Sequence, residues 1–208
     1  MKNIDTIIFD FNGTILDDVD LCFNILNKML KERGYKEISK EKYLDIFNFP
    51  VQDYYVLAGF DFNKHPFADL AVEFIDLYQK ASLDCPLYSS LIPFLEKNKD
   101  KRKIILSASQ IDNLNEQVNH FGIRKYFDAV LGTNTIEGRG KLDVALDYIN
   151  QNHLDPNKTL LIGDTSHDFE VAQTLNVKCA LVAKGHQSKA RLLKITPYVF
   201  DDMSEIIL

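Results

Sequence analysis

Five short apolar runs alternate with amphipathic stretches along this chain, and the alternation restricts the fold more than any other feature. Residues 4–9, 103–107, 127–131, 159–163 and 178–183 read as strands, with a short sixth near 197–200. Each run is nearly continuous in apolar residues, the pattern of a strand covered on both faces. Helical periodicity fills 110–120, 141–151 and 167–175, and Gly122 suits a stop after the first of these. Alternating β and α elements predict an α/β fold built on a doubly wound parallel sheet.

One crossover is far too long. About 93 residues separate Asp10, at the end of the first run, from Lys103, whereas a parallel crossover needs only about a dozen. The excess is itself helical. Val19, Cys22, Phe23, Leu26, Met29 and Leu30 follow the i, i+3, i+4, i+7 pattern, and Gly34 ends that helix. Pro66 suits a helix start, with Phe67, Leu70, Ala71, Phe74, Ile75 and Tyr78 along one face. Residues 16–84 therefore read as an inserted helical domain, and residues 1–15 and 85–208 as the α/β core. The insertion leaves the sheet just after Asp10, so it is expected to fold over that position.

Composition limits the partners. At 208 residues the chain can bury one substantial core and a small second lobe. A net charge of −6 argues against a nucleic-acid footprint. If an acidic chain of this kind handles an anionic substrate, it must supply local positive charge, and a metal is expected to contribute it. Cys22, Cys85 and Cys179 have no metal-ligand spacing, and an odd, sparse count fits a reducing, cytoplasmic compartment rather than a disulfide framework. The first apolar run is too short for a signal peptide and is interrupted by Asp5 and Asp10. No run approaches the roughly 18 residues of a membrane span.

The informative polar residues fall at strand ends. Ile4, Ile7, Ile8 and Phe9 lead into Asp10-Phe11-Asn12-Gly13-Thr14, which delivers a carboxylate to the sheet edge where open α/β folds bind ligands. A turn-capping Asp is the plainer alternative. Ser107 ends the second run. It, or Ser109, could cap the next helix, or its hydroxyl could donate to a phosphate oxygen. Lys141 starts a helix after Gly138-Arg139-Gly140. A solvated lysine is the plain reading, but at a helix N-terminus it opposes the dipole, and a bound phosphate would offset that. Strand four runs into Gly163-Asp164-Thr165-Ser166-His167-Asp168. Helix capping explains one of these carboxylates, not both. A hard cation such as Mg²⁺ takes one or two carboxylates plus substrate phosphate.

Taken together, Asp10, Ser107, Lys141 and Asp164/Asp168 stand at the ends of successive elements in one order. In this the chain resembles the haloacid dehalogenase-like superfamily of phosphohydrolases, over essentially its whole length and including a helical cap inserted after the first motif. The stretch from Gly163 to Asp168, with Gly185-His186-Gln187-Ser188, is similar to the phosphoglycolate phosphatase-like branch. The resemblance implies a Rossmann-like strand order of 3-2-1-4-5, an aspartyl-phosphate on Asp10, and Mg²⁺ held by Asp10, the Asn12 main-chain carbonyl and Asp164, with Asp168 ordering the metal's water shell or ligating directly. It implies phosphate contacts from Ser107 and Lys141, helped by Gly13, Thr14 and Ala108. Ser107 and Lys141 sit at element ends, so truncating either is expected to leave stability nearly unchanged.

One position departs from the family pattern. Asn12 stands where these phosphatases usually carry a second Asp as general acid and base. Its amide can orient a leaving oxygen but cannot deliver a proton, and such groups typically contribute roughly 10²–10⁴-fold. His167 is a substitute donor to consider. The leading expectation is a Mg²⁺-dependent phosphatase of a small phosphorylated metabolite, slow or limited to good leaving groups. The alternatives are a C–P bond hydrolase or phosphotransferase of the same superfamily, and a non-catalytic phosphate-binding or partner module. A C–P hydrolase would need a cap lysine, for which Lys28, Lys31 and Lys42 are candidates by count alone. Phe47, Phe49, Tyr54 and Tyr55 either line the site or pack inside the lobe.

Overall fold

The structure, a computed structural model describing residues 1–133 and 140–208, is organised around a six-stranded parallel sheet. Strands β1 (Thr6–Phe9), β2 (Arg102–Gln110), β3 (Ala129–Thr133), β4 (Thr159–Gly163), β5 (Lys178–Val182) and β6 (Val199–Phe200) lie in the order β3-β2-β1-β4-β5-β6. The expected order holds, extended by the sixth strand. Strands β1 and β4 are buried along their whole length, which accounts for their unbroken apolar sequences.

Four helices precede β2 in the insertion: α1 (Val19–Glu32), α2 (Lys40–Ile46), α3 (Val51–Ala58) and α4 (Phe67–Ala81). A fifth, α5 (Leu91–Lys97), leads into β2, and α6 (Ile111–His120), α7 (Lys141–Gln151), α8 (Ser166–Thr174) and α9 (Lys189–Leu192) follow. Side chains alternate across β1 with a period of two. Ile7 and Phe9 pack with Phe94, Leu95, Leu114 and Val118 of α5 and α6. Ile8 packs on the other face with Ala145, Ile149, Val171 and Ala172 of α7 and α8.

Strand β1 pairs with β2 on one side and β4 on the other, so the connections diverge beyond its C-terminal end. That crevice is where such sheets bind ligands. The Asp10 amide continues the ladder, donating to Ile162 O at 2.8 Å.

The insertion has an apolar cluster of its own, built from Leu26, Met29, Leu30, Tyr43, Tyr55 and Leu70 among others. Ile15 and Leu16 belong instead to the sheet's cluster. The two chain segments joining the lobe to the sheet pair with each other: Leu16 bridges Leu87, and the Tyr88 amide donates to Ile15 O at 3.1 Å. Among the described residues no helix is long and apolar enough to cross a membrane.

Strand β2 differs from its expected span. It runs past Ser107 to Gln110 because its pairing with β3 resumes after a register shift between Leu106 and Gln110. Gln110 then occupies the cap position of α6 without a side-chain cap, so neither Ser107 nor Ser109 caps it.

Candidate active site

Three buried carboxylates, Asp10, Asp164 and Asp168, present oxygens within 4.8 Å of one another beyond the ends of β1 and β4. Lys141 at the first turn of α7 lies between two of them. Its Nζ donates to Asp10 Oδ1 and, at 2.7 Å, to Asp168 Oδ1. It is only 3% exposed, so this is an interior ion triad and not a solvated lysine.

Asp168 has a double role that answers the capping question raised by the sequence. Thr165 is the N-cap of α8, and Asp168 completes a capping box. Its Oδ2 accepts from Thr165 N at 3.0 Å, Thr165 Oγ1 at 2.6 Å and Asp164 N at 3.2 Å. One oxygen therefore serves the helix and the other faces Lys141. Burial pushes the Asp168 carboxyl up, but Lys141 and Thr165 outweigh it and hold the group below the usual carboxylate range.

The other two carboxylates are less well compensated. Burial pushes Asp10 well above the usual range against the pull of Lys141, with Asp168 and Asp164 adding repulsion. Burial also pushes Asp164 up to about 7, opposed by His186 and reinforced by Asp168. Burial works against charge on Lys141, yet Asp10 and Asp168 keep its pKa above the ordinary lysine value. Three clustered carboxylates, only two of them paired to Lys141, offer oxygen donors that suit a hard divalent cation.

Asp164 is held by its surroundings. Thr14 Oγ1 donates to its Oδ1 at 3.1 Å, and the His186 amide donates to its Oδ2 at 2.6 Å. A Cβ at Gly13 or Gly185 would collide with this carboxylate, and Gly13 also has φ +71°, so glycine is required there.

Ser107, Ala108, Asn12, Asp10 and Lys141 line one cavity of about 210 Å³ beneath the insertion. Ser107 Oγ accepts from Ser109 N at 3.0 Å. Thr14 lies off this cavity, its hydroxyl committed to Asp164. The Gly13 amide is already used, donating to Leu16 O and Asp18 Oδ1, each at 2.9 Å. Gly138 and Arg139 lie outside the described residues. Lys28, Lys31 and Lys42 are all exposed, away from the cavity. His167 stacks on Phe49 with ring centroids 4.8 Å apart.

Asn12 is fixed by three neighbours. Its Nδ2 donates to Asp18 Oδ2 at 2.8 Å and to Tyr78 OH at 2.6 Å, and Ser109 Oγ donates to its Oδ1 at 3.0 Å. Both amide hydrogens are thus spent inside the protein.

Asp18 and His186 were given no role by sequence reasoning. Asp18 precedes α1 without capping it. It is fully buried, and its Oδ1 lies 3.2 Å from His186 Nε2. Tyr78 OH donates to its Oδ2 at 2.7 Å, and Tyr43 OH lies 2.9 Å from His186 Nδ1. Burial raises Asp18, but His186, Tyr78 and Asn12 bring it below the usual range. Burial lowers His186, but Asp18 overcomes this and holds it above the ordinary histidine value. Asp18, Cys22 and His186 also sit close enough to share a metal, but the Asp18 oxygens are already saturated by protein donors. The Gly185-His186 dipeptide after β5 was the available signal. Its partner lies 168 residues away, beyond any local pattern.

Residues 7–182 match the family model described as haloacid dehalogenase-like hydrolase. The chain belongs to this family. It is therefore an enzyme, a hydrolase, and its relatives include phosphoglycolate phosphatases. A phosphoglycolate phosphatase of Aquifex aeolicus is 25% identical over 188 residues, spanning 86% of this chain and 85% of the relative. One from Synechococcus elongatus is 22% identical over 198 residues, spanning 92% and 89%. The haloacid dehalogenase-like protein SP0104 of Streptococcus pneumoniae matches this hydrolase with a TM-score of 0.83 at 19% identity, covering 99% of this chain and 97% of the other, which shows the shared fold.

Proposed function

We propose that this hydrolase is a Mg²⁺-dependent phosphatase of a small phosphorylated substrate, working through an aspartyl-phosphate on Asp10. The observation that carries the reading is the buried Asp10–Lys141–Asp168 triad with Asp164 alongside, at the floor of a cavity. Mg²⁺ held by Asp10, Asp164, Asp168 and the Asn12 main-chain carbonyl would neutralise the incoming phosphoryl oxygens.

In the first step a carboxylate oxygen of Asp10 bonds to phosphorus as the ester P–O bond breaks. The electron pair leaves on the alcohol oxygen, which takes its proton from water. Lys141 and the Ser107 hydroxyl bind the equatorial oxygens, where charge gathers. Water then attacks the aspartyl-phosphate, releasing inorganic phosphate and restoring Asp10. Asn12 supplies no proton in either step, and its amide is tied to Asp18 and Tyr78. Good leaving groups are therefore favoured. No cap lysine lines the cavity among the described residues, so the C–P hydrolase reading gains no support.

We further read residues 16–84 as a cap domain on a core of 1–15 and 85–208. The separate apolar clusters and the Leu16–Leu87 pairing support a hinge there. A cap over Asp10 would exclude water during attack and open to release product.

The test is phosphate release from aryl phosphates with saturating Mg²⁺, with EDTA, and with Asp10→Asn. Only the first should turn over. Equal rates in all three would overturn the reading.

A further inference from the structure

We propose that the alcohol portion of the substrate is apolar and ring-sized, an aromatic or similarly hydrophobic alcohol without a second anionic group. This rests on the phosphatase reading above, because it assigns the phosphoryl group to the floor of the same cavity.

The cavity is polar at its floor and apolar above. Among its described lining residues the groups able to carry positive charge are Lys141 and His186. Lys141 is already shared by Asp10 and Asp168, and His186 by Asp18 and Tyr43. The remaining polar side chains on the β2–α6 side, Gln110, Asn113 and Gln117, are neutral. A carboxylate or second phosphate on the substrate would be desolvated there beside Asp18 with no free cation among the described lining residues to pair it, which is strongly unfavourable.

The apolar part of the lining is available to a ligand. Phe49, Ala71 and Ile75 line the cavity, each half-buried, from outside the cluster that holds the insertion together. Burying such surface is favourable whatever covers it. Size agrees: an apolar protein cavity of roughly 150 Å³ accepts benzene, and this one, at about 210 Å³, leaves space beside a ring for the phosphoryl group. The specificity residues assigned on this basis are Phe49 and Ile75.

The experiment must separate pocket preference from leaving-group chemistry, so the substrates compared are all alkyl esters. With Mg²⁺ saturating, kcat/KM is measured for phenethyl phosphate, ethyl phosphate and 2-phosphoglycolate. Phenethyl phosphate should exceed both others by about tenfold or more, the effect of burying roughly 55 Å² of apolar surface. Phe49→Ala should lower only the phenethyl value. Ile75→Arg, which adds the missing cation, should move the ratio toward phosphoglycolate by about tenfold. Affinities of phenethylphosphonate and phosphonoacetate for the native Mg²⁺-loaded chain, read by calorimetry, decide the same question without turnover or variants.

If phosphoglycolate matches or beats phenethyl phosphate, the proposal is overturned while the phosphatase reading stands. If none of these alkyl esters turns over, the aryl phosphates of the preceding test decide the phosphatase reading, and the phosphonate affinities alone decide the pocket. Tighter phenethylphosphonate would then still support the apolar pocket, and equal or tighter phosphonoacetate would overturn it.

Discussion

Lys141 sits at the first turn of a helix, where a charged side chain is ordinarily solvated and dispensable. Here it is buried between two carboxylates, which argues against the expectation that its truncation spares stability. Lys141→Ala should cost about 3–5 kcal/mol by leaving buried charge unpaired, read by urea unfolding in EDTA, and added Mg²⁺ should restore part of it. The setting of Asn12 shapes a second expectation. Asn12→Asp places a carboxylate against Asp18 Oδ2, in place of an amide donor. The new group is stabilised when protonated, so the folded-state pKa is raised and the variant loses stability relative to the native chain as pH rises. That protonated acid is the species a departing alkoxide needs. Alkyl phosphate turnover should therefore rise by one to a few decades, within the roughly 10²–10⁴-fold range of general acid–base groups. A leaving-group series on both chains checks it; an unchanged slope would contradict it. The Asp18–His186 pair adds a pH signature. His186 is raised in the folded state, so its contribution is full below the unfolded histidine range and is lost as pH rises through its folded pKa. Asp18 is lowered, so its contribution is lost only as pH falls through its own depressed value. The difference in thermal midpoint between native and His186→Gln chains should shrink as pH is raised above the ordinary histidine range.

At the scale of elements, the segment from His186 to Arg191 joins core to insertion. Gln187 Nε2 donates to Phe47 O at 2.9 Å, and Arg191 donates to Phe47 O at 2.6 Å, Asp45 O at 2.8 Å and Asn48 Oδ1 at 3.1 Å. These bonds hold the α2–α3 junction against the sheet edge. Arg191→Ala should loosen closure, raising KM several-fold, up to about tenfold, while the thermal midpoint changes little; an unchanged KM would show that this contact does not govern closure. The elements that were legible in the sequence were the long or strictly periodic ones. Strand β4 matches its apolar run residue for residue, and the α1 stripe faces the insertion's cluster as its spacing requires, whereas the α4 stripe is divided, with Phe67, Leu70, Phe74 and Tyr78 in the cluster and Ala71 and Ile75 outside it on the cavity. Helices α2, α3 and α5 were not legible, because seven or eight residues are too few to establish a period. The aromatic run from Phe47 to Tyr55 read as either lining or packing, and it is both. Tyr54 and Tyr55 are buried in the insertion's cluster and also border the cavity.

For the whole molecule, the site exists because the parallel order brings Asp10, just past β1, and Asp164 and Asp168, past β4, beside Ser107 in the C-terminal half of β2, each following an apolar run. That much follows from sequence, since strand ends are marked by where hydrophobicity stops. The polar links that tie the insertion to the site do not. Asn12–Tyr78 and Asp18–His186 span 66 and 168 positions, and such pairings depend on how two lobes meet. The central claim, that Asp10 is the nucleophile, is tested most directly by rapid acid quench and peptide mass spectrometry of the native chain turning over an aryl phosphate with Mg²⁺. One phosphoryl group on Asp10 is predicted, absent in Asp10→Asn and in EDTA. Sustained phosphate release by Asp10→Asn would contradict the account.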